Sequence, residues 1–260
     1  AAKFGVVDYL LEQPLSSSAS PLILDDYFHL FELPAELGTG HPPITVVPAG
    51  TLDGDYLEKL ARVDFTRLVQ SDPTKDTALT ALLKQLRFER SPDVFLIDSR
   101  AGLHDIGGLA LNGLAHLDVL FALDTGQSWA GVELVVHHLG RRRTEAGQAP
   151  QSCAVVYSMA PAPGEPERES RIEAFRDRSH DLFSNCFYES APAGGWLDPD
   201  LHWAIPAVAD AGEPHYALPI AYNRDIQAAR ALLPVAKLLT EGDYTSFAKD
   251  ILERAGMTLT

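Results

Sequence analysis

Cysteine is nearly absent from this chain, since only Cys153 and Cys186 occur among its 260 residues. Two cysteines without metal-ligand spacing exclude a disulfide framework and a cysteine-based zinc site, and they make the reducing cytoplasm the default compartment. No apolar run approaches the roughly 20 residues that span a bilayer. The first residues, 1–5, also lack the apolar stretch of a secretory signal. These absences indicate a soluble cytoplasmic protein without a membrane segment.

Basic residues are also scarce, because 21 Lys and Arg stand against 36 Asp and Glu, giving a formal net charge of −15. That balance argues against direct DNA binding, which needs clustered positive charge. The densest basic run, Arg141 to Arg143, suits the end of a helix, where cations complement the helix dipole. Hydrophobic residues make up 46% of the chain, which is enough for one large core over the whole length.

Apolar runs alternate with amphipathic segments along the chain, and this rhythm predicts a parallel, helix-covered sheet. We expect an α/β fold with a mostly parallel sheet of about six or seven strands and helices on both faces. The expected central strands are 44–47, 93–98, 118–123 and 152–157. Two further short strands are expected near 203–205 and 216–220. Helices are expected over 3–14, 77–90, 128–139, 167–183, 226–239 and 244–255.

The run from Asp93 to Gly102, DVFLIDSRAG, carries the most specific chemical pattern. Four apolar residues precede Asp98, which would then lie at the carboxyl end of a buried strand, where open α/β sheets place their ligands. A carboxylate at that position can hold Mg²⁺ or its water shell. Gly102 would let backbone N–H groups approach a phosphate.

This strand-Asp-x-x-Ala-Gly pattern resembles the second nucleotide motif of the ParA/MinD-like (SIMIBI class) P-loop ATPases. The likeness extends over most of the chain, from GVVDYL at Gly5 to LPI at Leu218. It implies a P-loop NTPase-like fold, with 1–260 as a single ParA/MinD-like domain. It also implies ATP and Mg²⁺ as cofactors, a homodimer as the assembly and a protein partner of unknown kind.

The resemblance also implies roles for single residues. Asp98 would act on Mg²⁺ and the attacking water, and Gly102, with Ala101 and Arg100 before it, would lie at the γ-phosphate. Where relatives carry an Asn that reads adenine, this sequence has Ser158 and Met159. Pro219 lies in a segment that resembles the turn beside the base.

The phosphate-binding motif of such ATPases, G-x-x-x-x-G-K-[S/T], occurs nowhere in the chain. A P-loop needs backbone N–H groups around the phosphates and a Lys to offset their charge. We therefore expect the domain to be missing its first strand–P-loop–helix unit, ahead of Ala1, and to bind ATP weakly or not at all. The alternative is a non-catalytic pseudo-ATPase that serves as a scaffold or dimerisation module.

A second alternative is an α/β-type serine hydrolase. Gly126-Gln127-Ser128-Trp129-Ala130 is a loosened version of the nucleophile elbow,. Downstream, Asp198 or Asp200 and His202 or His215 supply the order Ser, Asp, His, and of these Asp200 and His215 are our choice. Ser128 is equally a residue type that caps helices.

Overall fold

The computed structural model describes residues 3–16, 22–35, 42–64, 77–99, 114–146, 152–188, 204–231 and 233–257. The chain divides into two compact units, unit 1 over Ala1–Leu114 and unit 2 over Ala115–Thr260. The expectation of a single domain over 1–260 stays a prediction.

Unit 1 combines short helices with a small sheet. Its helices are α1 (Val6–Glu12), α2 (Tyr56–Arg62) and α3 (Ala78–Arg90), and its strands are β1 (His29–Phe31) and β2 (Ile44–Val46). Two 3₁₀ turns, Gln13–Leu15 and Leu24–Asp26, lie beside α1 and before β1. An aromatic and aliphatic core joins α1, the turn at Leu24–Asp26 and α3, and it is formed by Tyr9, Leu24, Tyr27, Phe28, Leu82 and Leu86.

Local polar contacts fix the ends of the unit 1 helices. Asp8 accepts a hydrogen bond from the Gly5 N–H at 3.0 Å, and its other oxygen lies 3.0 Å from Lys59 Nζ on α2. Thr77 caps α3, because its Oγ1 accepts from the Thr80 N–H at 3.2 Å,. The expected helix over 77–90 is thereby confirmed to within one residue.

Unit 2 is built around a parallel sheet of three strands in the order β3–β4–β5. These strands are β3 (Leu117–Ala122), β4 (Ser152–Ala160) and β5 (Leu218–Ala221). The unit 2 helices are α4 (Gly126–Ala146), α5 (Arg168–Cys186), α6 (Arg224–Ala228), α7 (Ala236–Leu239) and α8 (Asp243–Arg254). The protein is therefore mixed α/β, with helices flanking a parallel sheet, as the sequence predicts at that level.

Helices cover both faces of this sheet. On one face, Tyr157 of β4 stacks on Phe175 of α5 with ring centroids 4.2 Å apart. Phe121 of β3 lies opposite Val156, the residue before Tyr157, in the β3–β4 register. Its ring centroid lies 6.0 Å from that of Phe247 of α8. Because successive strand residues point to opposite faces, α5 and α8 lie on opposite sides of the sheet.

One expected central strand, over 93–98, is wrong, and the strand expected over 44–47 exists but does not lie in a parallel sheet. Residues 94–99 form no strand in the structure, and Leu96 is 91% exposed. Residues 44–46 do form a strand, but it pairs antiparallel with β1 in a two-stranded sheet. An apolar run forms a stable strand only where neighbouring strands and helices cover it. The run itself does not show whether those neighbours are present.

Other boundaries also differ from expectation. The described residues contain five strands in two sheets, in place of one sheet of six or seven. Residues 204 and 205 are not in a strand, and the expected helix over 226–239 is divided into α6, a 3₁₀ turn at Leu233–Val235 and α7. Pro234 lies inside that segment, and a proline breaks the hydrogen-bond ladder of a helix.

Candidate functional site

The carboxyl edge, defined as the ends of β3, β4 and β5 with the residues that follow them, brings several functional candidates together. It contains residues 123–128, 158–161 and 219–223. Ser158, Met159 and Pro219 all lie here. Open α/β sheets bind ligands outside the carboxyl ends of their strands, so this edge is the natural ligand-facing part of unit 2.

Met159 holds the most unusual backbone conformation at the carboxyl edge. Its φ is 56°, a left-handed value that L side chains other than Asn and Asp seldom adopt,. The register explains the position of the strain. Ser158 lies opposite Ile220 and Ala160 opposite Ala221, so Met159 is an extra residue, a bulge in β4. The bulge turns a half-exposed Met159 side chain out of the regular pleat,.

Pro219 and Tyr222 lie on the neighbouring strand end. Pro219 faces Tyr157 across the β4–β5 ladder, and it is tolerated because β5 lies at the edge of the described sheet,. The Tyr222 N–H donates to the Ala160 carbonyl at 2.9 Å. That bond fixes Tyr222 directly beyond the Met159 bulge, with its ring nearly half exposed.

The turn between β3 and α4 is held by its own side chains. Thr125 caps α4 by accepting from the Ser128 N–H at 3.3 Å, and Ser128 Oγ accepts from the Leu123 N–H at 2.9 Å. Asp124 Oδ1 accepts from the Trp129 indole N–H at 3.2 Å. Thr125, and not Ser128, is therefore the cap of this helix.

The hydrolase alternative receives no support from His215. This residue is fully buried, with Nδ1 at 2.8 Å from the Tyr188 hydroxyl and Nε2 at 3.3 Å from the Val208 carbonyl oxygen. A catalytic histidine needs one ring nitrogen within hydrogen-bond reach of the nucleophile, and both nitrogens of His215 have other partners. Asp200 lies outside the described residues.

Asp98 lies in unit 1, exposed and after a segment that is not a strand. The expectation that it ends a buried strand is wrong for this reason. Arg100, Ala101 and Gly102 lie outside the described residues. Mg²⁺ is commonly held by one or two carboxylates together with phosphate oxygens. In the part of the chain that the structure describes, no group of three His, Cys, Asp or Glu side chains could hold a metal ion.

Unit 1 also has an open groove, lined by Asp25, Phe28, His29, Leu30 and Arg90. The Arg90 guanidinium lies 4.2 Å from the centre of the Phe28 ring, and its Nη2 lies 2.5 Å from Asp25 Oδ1. The two charges neutralise each other, so the groove offers no strong attraction to a charged ligand.

Sequence reasoning missed a polar cluster that supports the carboxyl edge. Asp243, the first residue of α8, accepts from the Ala221 N–H at 2.9 Å and pairs with Arg168 of α5. Arg168 also donates to the Pro161 carbonyl. Arg168 and Asp243 lie 75 residues apart in sequence, so no local pattern could reveal the pair.

Comparison of the chain with family models, with curated proteins and with solved structures gives no match. Within the described segments, none of the helices combines the length and the apolar character that crossing a bilayer requires.

Proposed function

We propose that this protein is a nucleotide-dependent switch domain of the ParA/MinD-like kind, and that the carboxyl edge faces the nucleoside part of its ligand. The observation that carries the proposal is the strained bulge at Met159. Strained non-glycine residues and β-bulges are concentrated at binding and active sites, where they re-aim a side chain. Here both features occur together at the ligand-binding edge of a parallel sheet.

The chemistry of the edge suits a planar heterocycle. Met159 presents a polarizable thioether and Tyr222 an aromatic ring, both substantially exposed. Thioethers and aromatic rings make favourable contacts with the faces and edges of ring systems. Ser158, half-buried on the same strand end, adds a hydroxyl that both donates and accepts,. A nucleoside base requires this combination of apolar faces and a few polar groups.

Fewer observations support binding of the phosphate groups of the ligand. The sequence contains no G-x-x-x-x-G-K-[S/T] motif, so it offers no P-loop lysine to offset the phosphate charge,. The net charge of −15 further disfavours a polyanion,. We therefore propose that the nucleoside dominates binding and that turnover of ATP by this chain is absent or very slow.

A non-catalytic scaffold of the same fold is the second candidate. One specific observation favours it, the exposed apolar segment Val94–Ile97 in unit 1. Contiguous exposed apolar residues mark surfaces that contact other proteins. In this version the domain keeps a dimer or partner surface without hydrolysing nucleotide.

Saturation-transfer NMR with adenosine and with MgATP tests the proposal. We expect transfer to the base protons of both ligands, with dissociation constants that agree within about threefold because the phosphates add little. Met159→Gly and Tyr222→Ala should each weaken binding by about tenfold, equivalent to about 1.4 kcal/mol.

Leu15→Ala is the matched control, because Leu15 is an exposed hydrophobic residue of unit 1. It should leave the transfer unchanged. Absence of transfer to every nucleoside, or equal losses in the control and in the two edge variants, would overturn the proposal. Light scattering of the protein with and without adenosine separates a constitutive dimer, expected of a scaffold, from a ligand-dependent dimer, expected of a switch.

A further inference from the structure

The groove of unit 1 runs along one edge of strand β1. Side chains of successive strand residues point to opposite faces of a sheet. Because the consecutive residues 28, 29 and 30 all line the groove, it follows the backbone edge of β1 and does not lie over one face. β2 pairs along the other edge, and among the described residues β1 has no further strand beside it. An extended segment can therefore add to the sheet at the groove.

The groove combines apolar side chains with a balanced charge. Phe28 is buried beneath the Arg90 guanidinium, and Leu30 is about half exposed. Asp25 offsets the charge of Arg90. A sheet of two strands is marginally stable in water, and a third strand with an apolar face stabilises it. The groove thus suits an apolar segment of chain better than a charged ligand.

Unit 1 also exposes an apolar segment, residues 94–97, shortly after the end of α3. Residues 94–99 contain no helix, strand, turn or bend, so the chain runs on without a reversal. All four side chains of the segment are exposed, and Leu96 is 91% exposed. Val, Phe and Ile are residue types that favour strands. A run of this kind buries its apolar side chains by adding to the open edge of a sheet.

The charges that flank the segment decide which strand it can join. Asp93 and Asp98 lie on either side of it. If two copies of the segment paired with each other in register, Asp93 would face Asp98 in an antiparallel ladder or Asp93 in a parallel one. Like charges directly opposite each other are destabilising. In the groove, one of these carboxylates can approach Arg90 instead, whose guanidinium has five N–H donors, of which the bond to Asp25 uses one,.

We propose that two copies of the chain exchange these segments, so that residues 94–97 of each copy add to β1 of the other. Each copy carries both the segment and the groove, and the contact is therefore made twice about a two-fold axis. The exchange supplies the partner of the scaffold candidate and rests on that candidate. It does not involve the nucleoside site.

Analytical ultracentrifugation of the full chain without nucleoside, over a series of concentrations, tests the exchange. We expect the wild-type protein to dimerise. Leu96→Asp in the segment and Leu30→Asp in the groove should each weaken dimerisation by about 30-fold or more, because each places an unpaired charge in both contacts. Phe88→Asp is the matched control, since Phe88 is also a highly exposed residue of unit 1. It should leave the dimer unchanged.

A mixture of the two defective variants distinguishes an exchange from other dimers. The Leu30→Asp protein keeps an intact segment, and the Leu96→Asp protein keeps an intact groove, so a heterodimer restores one of the two contacts. We expect the equimolar mixture to dimerise more tightly than either variant alone and less tightly than the wild-type protein. No recovery in the mixture would overturn the exchange.

The remaining outcomes separate the exchange from the scaffold candidate. A monomeric wild-type protein would overturn the exchange and also remove the constitutive dimer expected of a scaffold. A dimer that persists in Leu96→Asp, or that is lost equally in Phe88→Asp, would overturn the exchange alone and leave a scaffold with another interface. Circular dichroism checks that each variant folds. If Leu30→Asp unfolds, Leu30→Ser takes its place in both experiments.

Discussion

Arg168 and Asp243 form an ion pair that supports the carboxyl edge, with Arg168 Nη2 at 2.9 Å from Oδ1 and 3.1 Å from Oδ2 of Asp243. The two side chains are only 12% and 19% exposed. Asp243 also accepts from the Ala221 N–H at the end of β5, and Arg168 donates to the Pro161 carbonyl after β4. One pair of charges thus holds two strand ends and the first turns of two helices in place.

Replacing Asp243 should therefore destabilise the protein. Asp243→Ala leaves Arg168 partly buried without its carboxylate and leaves the Ala221 N–H without its acceptor. We expect a loss of about 2 kcal/mol in the free energy of unfolding, measured by urea denaturation. Lys249→Ala is the control, because it removes an exposed ion pair with Glu253 on the same helix. That change should stay within about 0.5 kcal/mol. Equal effects of the two substitutions would contradict the supporting role.

Two glycines of α4 should respond in opposite ways to alanine. A Cβ on Gly140 would lie 2.0 Å from the Cys186 carbonyl oxygen at the end of α5, whereas a Cβ on Gly131 would meet nothing within 4 Å. Gly140→Ala should destabilise by about 2 kcal/mol or more, since backbone must move. Gly131→Ala should stabilise by about 0.5–1 kcal/mol through helix propensity. Thermal unfolding of both variants tests the close packing of α4 on α5. If both substitutions stabilise the protein, Gly140 does not lie against the end of α5.

The two cysteines should differ in reactivity. Burial raises the pKa of the Cys153 thiol, and the nearby Asp118 raises it further. Burial also raises the pKa of Cys186, but this residue remains partly accessible. Since the thiolate is the reactive form, Ellman's reagent at pH 8 should modify Cys186 first. In Cys186→Ser the native protein should react only at the rate of unfolding. Rapid modification of Cys153 in that variant would show that the core around β4 is open.

The sequence predicts the elements whose structure depends on residues nearby in the chain, and it misses those that depend on distant residues. Strands β3 and β4 were predicted because their apolar runs are flanked by helices that the same patterns indicate. The run 93–98 has an equally strong pattern but is exposed, because strand formation depends on neighbours that periodicity does not report,. The bulge at Met159 was not predicted, since nothing in the residue type indicates a left-handed φ. Pairs such as Arg168 and Asp243 arise only from the tertiary fold.

Substitution of Asp98 should affect ATP turnover without affecting the stability of the fold. Its side chain is exposed, so Asp98→Ala should change the free energy of unfolding by no more than about 0.5 kcal/mol,. In the proposed ATPase-like function Asp98 would act on Mg²⁺ and the attacking water, so the same substitution should abolish any turnover of ATP. Retained turnover in a well-folded Asp98→Ala protein would remove Asp98 from the mechanism.

Affinity for MgATP provides a further test. Without a P-loop lysine, calorimetry on this chain should detect no micromolar binding of MgATP. Titration at raised and lowered ionic strength should change the weak binding little, because the nucleoside supplies most of it. Micromolar affinity with a strong salt dependence would show that the phosphates, and not the nucleoside, dominate binding.

We propose that the carboxyl edge of β3–β5 faces the nucleoside. The most direct measurement is a series of ¹H–¹⁵N spectra of the chain titrated with adenosine. We expect shift changes confined to residues 123–128, 158–161 and 219–223. Leu117 and Ser152, at the amino ends of β3 and β4, should not respond. Changes concentrated at those amino ends, or no changes up to the solubility limit of adenosine, would show that the nucleoside does not bind at the carboxyl edge.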